Sequence, residues 1–150
     1  MYNFNSVEEI LDFAIEQEIA ANRFYLDLAD RVKSPAMRQV FEEFAKEEWG
    51  HKKKLENMET GKFEFSSEQI ADLKISDYVV AEEPTPDMSY QDALILAMKK
   101  EKTAFKFYSQ LAAMVEDAPL RRMFLSLAQE EARHKLRFET EYDEVILTEN

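Results

Sequence analysis

Six residues that resist burial recur in this chain at matched places. Glu18 is followed by Glu48 and His51, and Glu101 is followed by Glu131 and His134, with the second set offset by 83 residues from the first. Both His residues of the protein are used, and each closes a Glu-x-x-His. The offset extends well beyond these six. Ala21, Phe24, Tyr25, Leu28, Ala29, Phe41, Ala45 and Lys52 are matched by Ala104, Phe107, Tyr108, Leu111, Ala112, Phe124, Ala128 and Lys135. The chain is therefore built from two copies of one unit. Each copy sets Glu and His, which rarely go fully inside a protein, at positions where apolar residues are expected.

Those positions follow from helical periodicity. A first helix opens at Ser6, with Glu9 three residues later as a capping box, and runs to about Val32. Its inward stripe is Ile10 or Leu11, Ala14, Glu18, Ala21, Tyr25 and Leu28. A second starts near Pro35, a good first-turn residue, and runs to near Gly61. Its stripe is Met37, Phe41, Phe44, Glu48, His51, Leu55 and Met58. A third opens at Ser89, with Asp92 behind it, and ends around Asp117, on the stripe Leu94, Ala97, Glu101, Ala104, Tyr108 and Leu111. A fourth runs from near Pro119 to about Tyr142, on Leu120, Phe124, Leu127, Glu131, His134 and Phe138. Short connections make each half an antiparallel helix pair, about 6–60 and 89–142.

The connection between the second and third helices is long. It carries Phe63, Phe65, Ile70, Leu73, Ile75, Tyr78, Val79 and Val80, too apolar for a solvated linker. Ser66 to Gln69 can start one short helix, and Glu82-Glu83-Pro84-Thr85-Pro86 is stiff and exposed. One helix pair cannot bury its own stripe, so the reading is a single domain over 1–150. Its expected fold is an all-α, antiparallel four-helix bundle with one long crossover between helices two and three.

Composition narrows the partners. The net charge of −12 argues against nucleic acid and against anionic membrane surfaces, and suits cations. With no Cys there is no disulfide, thiolate catalysis or cysteine-ligated iron. No apolar run approaches a membrane span, and the N-terminus lacks a signal-peptide pattern, so a cytoplasmic location is the default expectation.

A lone ionised Glu inside a helix bundle costs several kcal/mol, roughly, unless it is paired. Four of them need partners, and no Lys or Arg lies on the stripes. Metal ions answer the need. In Glu-x-x-His on a helix both side chains leave one face about a turn apart. Carboxylate and imidazole together suit iron, manganese or zinc. A Glu three residues before any one His is common by chance; the duplicate hit, the matched spacing and the apolar setting are not. Glu18 and Glu101 are expected as terminal carboxylates, Glu48 and Glu131 as bridges between two metals, and His51 and His134 as caps on one metal each. Glu47 and Glu130 either hydrogen-bond the free ring nitrogen of the His from the other pair or lie on a solvated flank. Tyr25 and Tyr108 either hydrogen-bond a ligand carboxylate, serve as local electron donors, or pack as core aromatics. Trp49 and the Met residues are expected to pack, and Lys52-Lys53-Lys54 to form a solvated helix end.

Two Glu and two Glu-x-x-His on four helices resemble the ligand set of ferritin-like di-iron and di-manganese proteins. The segments Glu18-Ile-Ala-Ala-Asn-Arg-Phe-Tyr25, Glu47-Glu48-Trp-Gly-His51 and Glu130-Glu131-Ala-Arg-His134 resemble the rubrerythrin branch of that superfamily over essentially the whole chain. The resemblance implies a di-iron centre, and reduction of hydrogen peroxide or dioxygen with electrons from a small redox protein. Full-length rubrerythrins add a Cys-ligated iron domain, which this chain has no Cys to build, so the donor is expected to be a separate protein. Rubrerythrins proper also carry an extra Glu three residues after the third-helix ligand; here Ala104 stands there, and Ala21 at the matching place in the first helix. The six-residue set is closer to the bacterioferritin pattern. Three rival functions stay open at this point: a ferroxidase that stores or detoxifies iron, a metal-binding bundle without turnover, held by zinc or manganese, and an oxygenase acting on an organic substrate. A homodimer or higher homo-oligomer is expected, with neither nucleic acid nor membrane as partner.

Overall fold

The computed structural model describes residues 4, 6–58 and 65–149. Its secondary structure is helical: α1 (Val7–Arg31), α2 (Pro35–Glu56), α3 (Ser67–Asp72), α4 (Tyr90–Met114) and α5 (Ala118–Glu149), with a 3₁₀ turn at Ile75–Tyr78. The chain divides into two compact units, one holding α1 and α2, the other holding the crossover with α4 and α5.

In the first unit, α1 starts where Ser6 Oγ accepts from the Glu9 amide at 3.2 Å, satisfying one of the otherwise unbonded first-turn donors. It stops at Val32, which turns to extended backbone. Two residues later Ser34 caps α2 through the Met37 amide at 3.2 Å, and Pro35 takes the first turn, where its missing N–H is harmless. So short a loop makes the two helices antiparallel neighbours. The apolar stripes face inward: Ile10, Leu11, Ala14, Leu28, Met37, Phe41 and Phe44 are all buried. Sealing a ring such as Phe41 from water stabilises the hairpin by about 2–3 kcal/mol. Helix α2 ends at Glu56 with Asn57 as its cap, short of the end expected near Gly61. Gly61 itself, like Phe63, lies outside the described residues.

The second unit repeats the plan. Ser89 caps α4 through the Asp92 amide at 3.1 Å, and Val115 ends it. Asp117, expected as the tail of that helix, instead starts the next. Its carboxylate accepts from the Leu120 amide at 3.0 Å and its carbonyl from the Arg121 amide at 2.9 Å. A side chain that bonds its own downstream backbone favours caps over helix interiors. Helix α5 runs on past Tyr142 to Glu149, so Val145, Ile146 and Leu147 form its last turns, with Leu147 largely exposed.

In the crossover, the short helix expected to start at Ser66 to Gln69 is α3, and it begins with a full capping box between Ser66 and Gln69. Tyr78 then lays its ring edge-on to Phe107 of α4, centroids 5.0 Å apart. The segment between the hairpins thus packs on its own unit's helix. Lys99 Nζ, 2.7 Å from Glu82, ties the exposed acidic stretch to α4 as well.

The repeat also governs how each hairpin is closed. Arg38 Nε donates to Ala29 O at 3.2 Å, and Arg121 Nη2 donates to Val115 O at 2.8 Å. These two Arg residues are 83 positions apart, and each covers a carbonyl at the end of the preceding helix, where cations and donors are favoured.

Candidate metal centre

Each hairpin holds one Glu, one Glu-x-x-His and an apolar surround. In the first, α1 brings Glu18 and α2 brings Glu48 and His51. All three are buried, at 2%, 1% and 2% exposure. His51 Nδ1 stands 3.5 Å from Glu18 Oε2 and 3.5 Å from Glu48 Oε1, long for hydrogen bonds. One ligand atom from each of the three lies within 4.8 Å of the others. In the second hairpin, α4 brings Glu101 and α5 brings Glu131 and His134, again buried at 1%, 2% and 0%. His134 Nδ1 is 3.6 Å from Glu101 Oε1, and this trio also meets within 4.8 Å.

Local sequence explains why these side chains point inward. Ala14 and Ala97 precede Glu18 and Glu101 by one turn on the stripe, and both are buried. Their small side chains leave room for a carboxylate one level on. Every other stripe position expected to be buried is so, except Ala21, Met58 and Ala104, which are half-buried. The aromatic positions close each interior. Tyr25 packs on Phe24 and Phe44 with centroids 5.8 and 6.4 Å away, and Tyr108 on Phe107 and Phe124 at 5.6 and 6.4 Å. Both Tyr rings are thus core aromatics of their hairpins.

Oxygen and nitrogen donors brought to one point in an apolar interior are what a divalent transition metal requires. Two carboxylates and an imidazole, without thiolate, fit iron, manganese or zinc. Glu47 and Glu130, next to Glu48 and Glu131, are half-buried, which places them at the margin between core and flank. Trp49, expected to pack, is 38% exposed and carries Lys52 Nζ 4.2 Å from its ring centroid, a cation–π contact. Lys52 also reaches Glu56 at 3.3 Å, as Lys135 reaches Glu139 one repeat later.

Two polar links near the ends and flanks of the hairpins were not expected from the sequence. Asn22 Nδ2 donates to Ala45 O at 2.7 Å, joining α1 to α2 beside the first trio. Tyr90 Oη donates to Glu141 Oε2 at 2.7 Å, joining the start of α4 to α5. Burial pushes the Tyr90 hydroxyl far above its ordinary range, helped by the bond to Glu141 and its charge and opposed by Arg137. The signal for Asn22 was present: the matching position in the second copy is Phe105, so the repeat breaks one turn from Glu18. Among the described residues, no helix is long and apolar enough to cross a membrane.

A family model for rubrerythrin matches residues 9–142. Among solved structures, one from Thermotoga maritima, described as a ferritin-like diiron-carboxylate protein, is similar with a TM-score of 0.77 and 18% identity. The match spans 97% of this chain and 99% of that one. A hypothetical protein from Pyrococcus furiosus is similar with a TM-score of 0.72 and 28% identity, over 92% of this chain and 89% of the other. Among curated proteins none matches the sequence.

Proposed function

The chain belongs to the rubrerythrin family, and on that premise we propose that it is a di-iron oxidoreductase that reduces hydrogen peroxide. Glu18, Glu48 and His51 with Glu101, Glu131 and His134 hold the two iron ions in this reading. It includes the four-helix bundle expected from the sequence, over 1–150 as one domain, with each hairpin contributing one trio. The observation that carries it is the pair of buried trios of identical donor composition. When bound, an iron pair supplies the two electrons needed to cleave the oxygen–oxygen bond, one from each ion.

The chain's own residues do the rest. Four carboxylates offset the charge of two ferrous ions, which an apolar interior would otherwise repel. The low polarity around Phe41, Phe44, Tyr25 and their counterparts strengthens each carboxylate–cation attraction over its value in water. The imidazoles of His51 and His134 offer one lone pair each and add no negative charge. Turning one peroxide into two waters consumes two electrons and two protons. In this reading the electrons come from a separate small redox protein. The setting is cytoplasmic, and the strongly acidic protein engages neither nucleic acid nor a membrane surface.

The test is anaerobic loading with ferrous ion, followed by stopped-flow oxidation with peroxide or with air. Two iron ions per chain and faster oxidation by peroxide are expected. Oxidation of many ferrous equivalents per chain, with ferric mineral accumulating, would replace this reading with the ferroxidase one. Binding without oxidation by either would leave a metal-held bundle.

A further inference from the structure

The two trios have the same ligands but their helices are not pinned alike. We propose that Asn22 is a positioning residue that pre-organises the Glu18–Glu48–His51 trio and makes it the tighter of the two metal-binding trios, an inference that rests on the metal reading above.

The Asn22 amide nitrogen is 2.7 Å from the Ala45 carbonyl oxygen, across from α1 to α2. Only the amide's nitrogen can face a carbonyl, so the side chain has one orientation here. Ala45 lies inside α2, where its carbonyl serves the helix ladder; a carbonyl has two lone pairs, and Asn22 uses the second. The bond therefore adds a fixed distance between two helices rather than a repair to the backbone.

Its position decides what that distance controls. Asn22 is one turn beyond Glu18 on α1, and Ala45 is three residues before Glu48 on α2. The link thus sits within a turn of both carboxylates. A helical turn is about 5.4 Å long, so a slide of one helix by part of a turn would carry Glu18 out of register with His51. These two groups are now 3.5 Å apart. Apolar side chains are non-directional and resist such a slide weakly; a short, directed hydrogen bond resists it well. The amide is uncharged, so it leaves the charge of the trio as it is.

The second hairpin supplies the comparison. Its position 83 residues on is Phe105, a side chain without a donor, 40% exposed on α4. The Ala128 carbonyl, matched to that of Ala45, receives nothing from it. Ligands held in place beforehand lose less freedom when a metal arrives, and the groups that orient them commonly change metal affinity by roughly 10–100-fold.

Titration of the metal-free full chain with Co²⁺, followed by visible absorption, tests this. Two unequal steps are expected. Asn22→Leu, close in size but without a donor, should weaken the first step roughly tenfold and leave the second. Glu18→Ala should remove that same first step. Phe105→Asn, which leaves the first trio untouched, should tighten the second step by placing a donor opposite Ala128. Asn22→Leu protein that retains the tight step would overturn the proposal while two bound Co²⁺ per chain kept the metal reading intact. So would a loss spread equally over both steps, the mark of a merely structural role. Wild-type protein that binds no Co²⁺ would overturn both.

Discussion

The α1–α2 hairpin and the α4–α5 hairpin carry the same buried trio of two Glu and one His, the same three-residue loop and the same Arg closing it, yet they are finished differently. The first has Asn22 bonded across its helices and ends its second helix at Glu56. The second has Phe105 in place of Asn22, carries the crossover on α4, and extends its last helix to Glu149. Near that extension Tyr90 and Glu141 form a part-buried polar clamp, where the first hairpin has Val7 and Met58 at the matching positions. Even the exposed faces diverge: Leu125 and Leu136 stand on α5 where α2 has Glu42 and Lys53. What is shared lies at the core stripe and loop; what differs lies at flanks and ends. A duplicated unit can vary wherever neither the buried acid–imidazole set nor hairpin closure is at stake.

The sharpest way to break the equivalence is at the ligands. Glu48→Ala combined with Glu131→Ala should abolish paired metal binding, read as metal per chain after dialysis; two metals retained would mean the ligands are misassigned. Next come the matched core rings. Phe41→Ala and Phe124→Ala, each at full burial, should cost about 3–5 kcal/mol in urea unfolding. Costs that differ severalfold would show that one hairpin's core yields more readily than the other's.

The clamp gives a smaller effect with a pH signature. Tyr90→Phe should cost about 1.5 kcal/mol, the usual order for a hydrogen bond to a carboxylate. The folded state holds the Tyr90 proton above the ordinary value of 10.0. Its contribution is therefore complete below pH 10 and shrinks as pH climbs beyond it, because the unfolded chain gives up that proton first. The urea midpoint of the wild type should fall more steeply above pH 10 than that of Tyr90→Phe; parallel curves would contradict this. Smallest are the closing Arg residues. Arg38→Ala and Arg121→Ala should each cost about 1 kcal/mol, with Arg121 the larger because its bond is shorter, 2.8 against 3.2 Å. A reversed order would show that burial at the loop outweighs bond length.

Much of this was legible in the residues. Ser6, Ser34, Ser66 and Ser89 cap helices where a hydroxyl precedes an apolar-periodic run, because capping is a local contest between neighbouring donors and acceptors. Period alone placed Glu18, Glu48, His51 and their counterparts inside. Helix ends were less legible. Nothing local distinguishes Glu56 from a stop a few residues later, and Asp117 suits a helix tail or a cap until its carboxylate meets the Leu120 amide. Trp49, expected to pack, is turned partly outward by its helix, where Lys52 covers its ring.

Residue order alone set out two helical hairpins, with two acids and an imidazole on the inner face of each. Period and local capping are properties of a chain a few turns long. Tertiary packing alone decided that those groups come within a few ångströms of one another, that Asn22 reaches the Ala45 carbonyl, and that Glu141 is shielded by Tyr90. Such contacts join residues 23 to 51 positions apart, and they depend on the axial register of one helix against its neighbour, which no local pattern encodes.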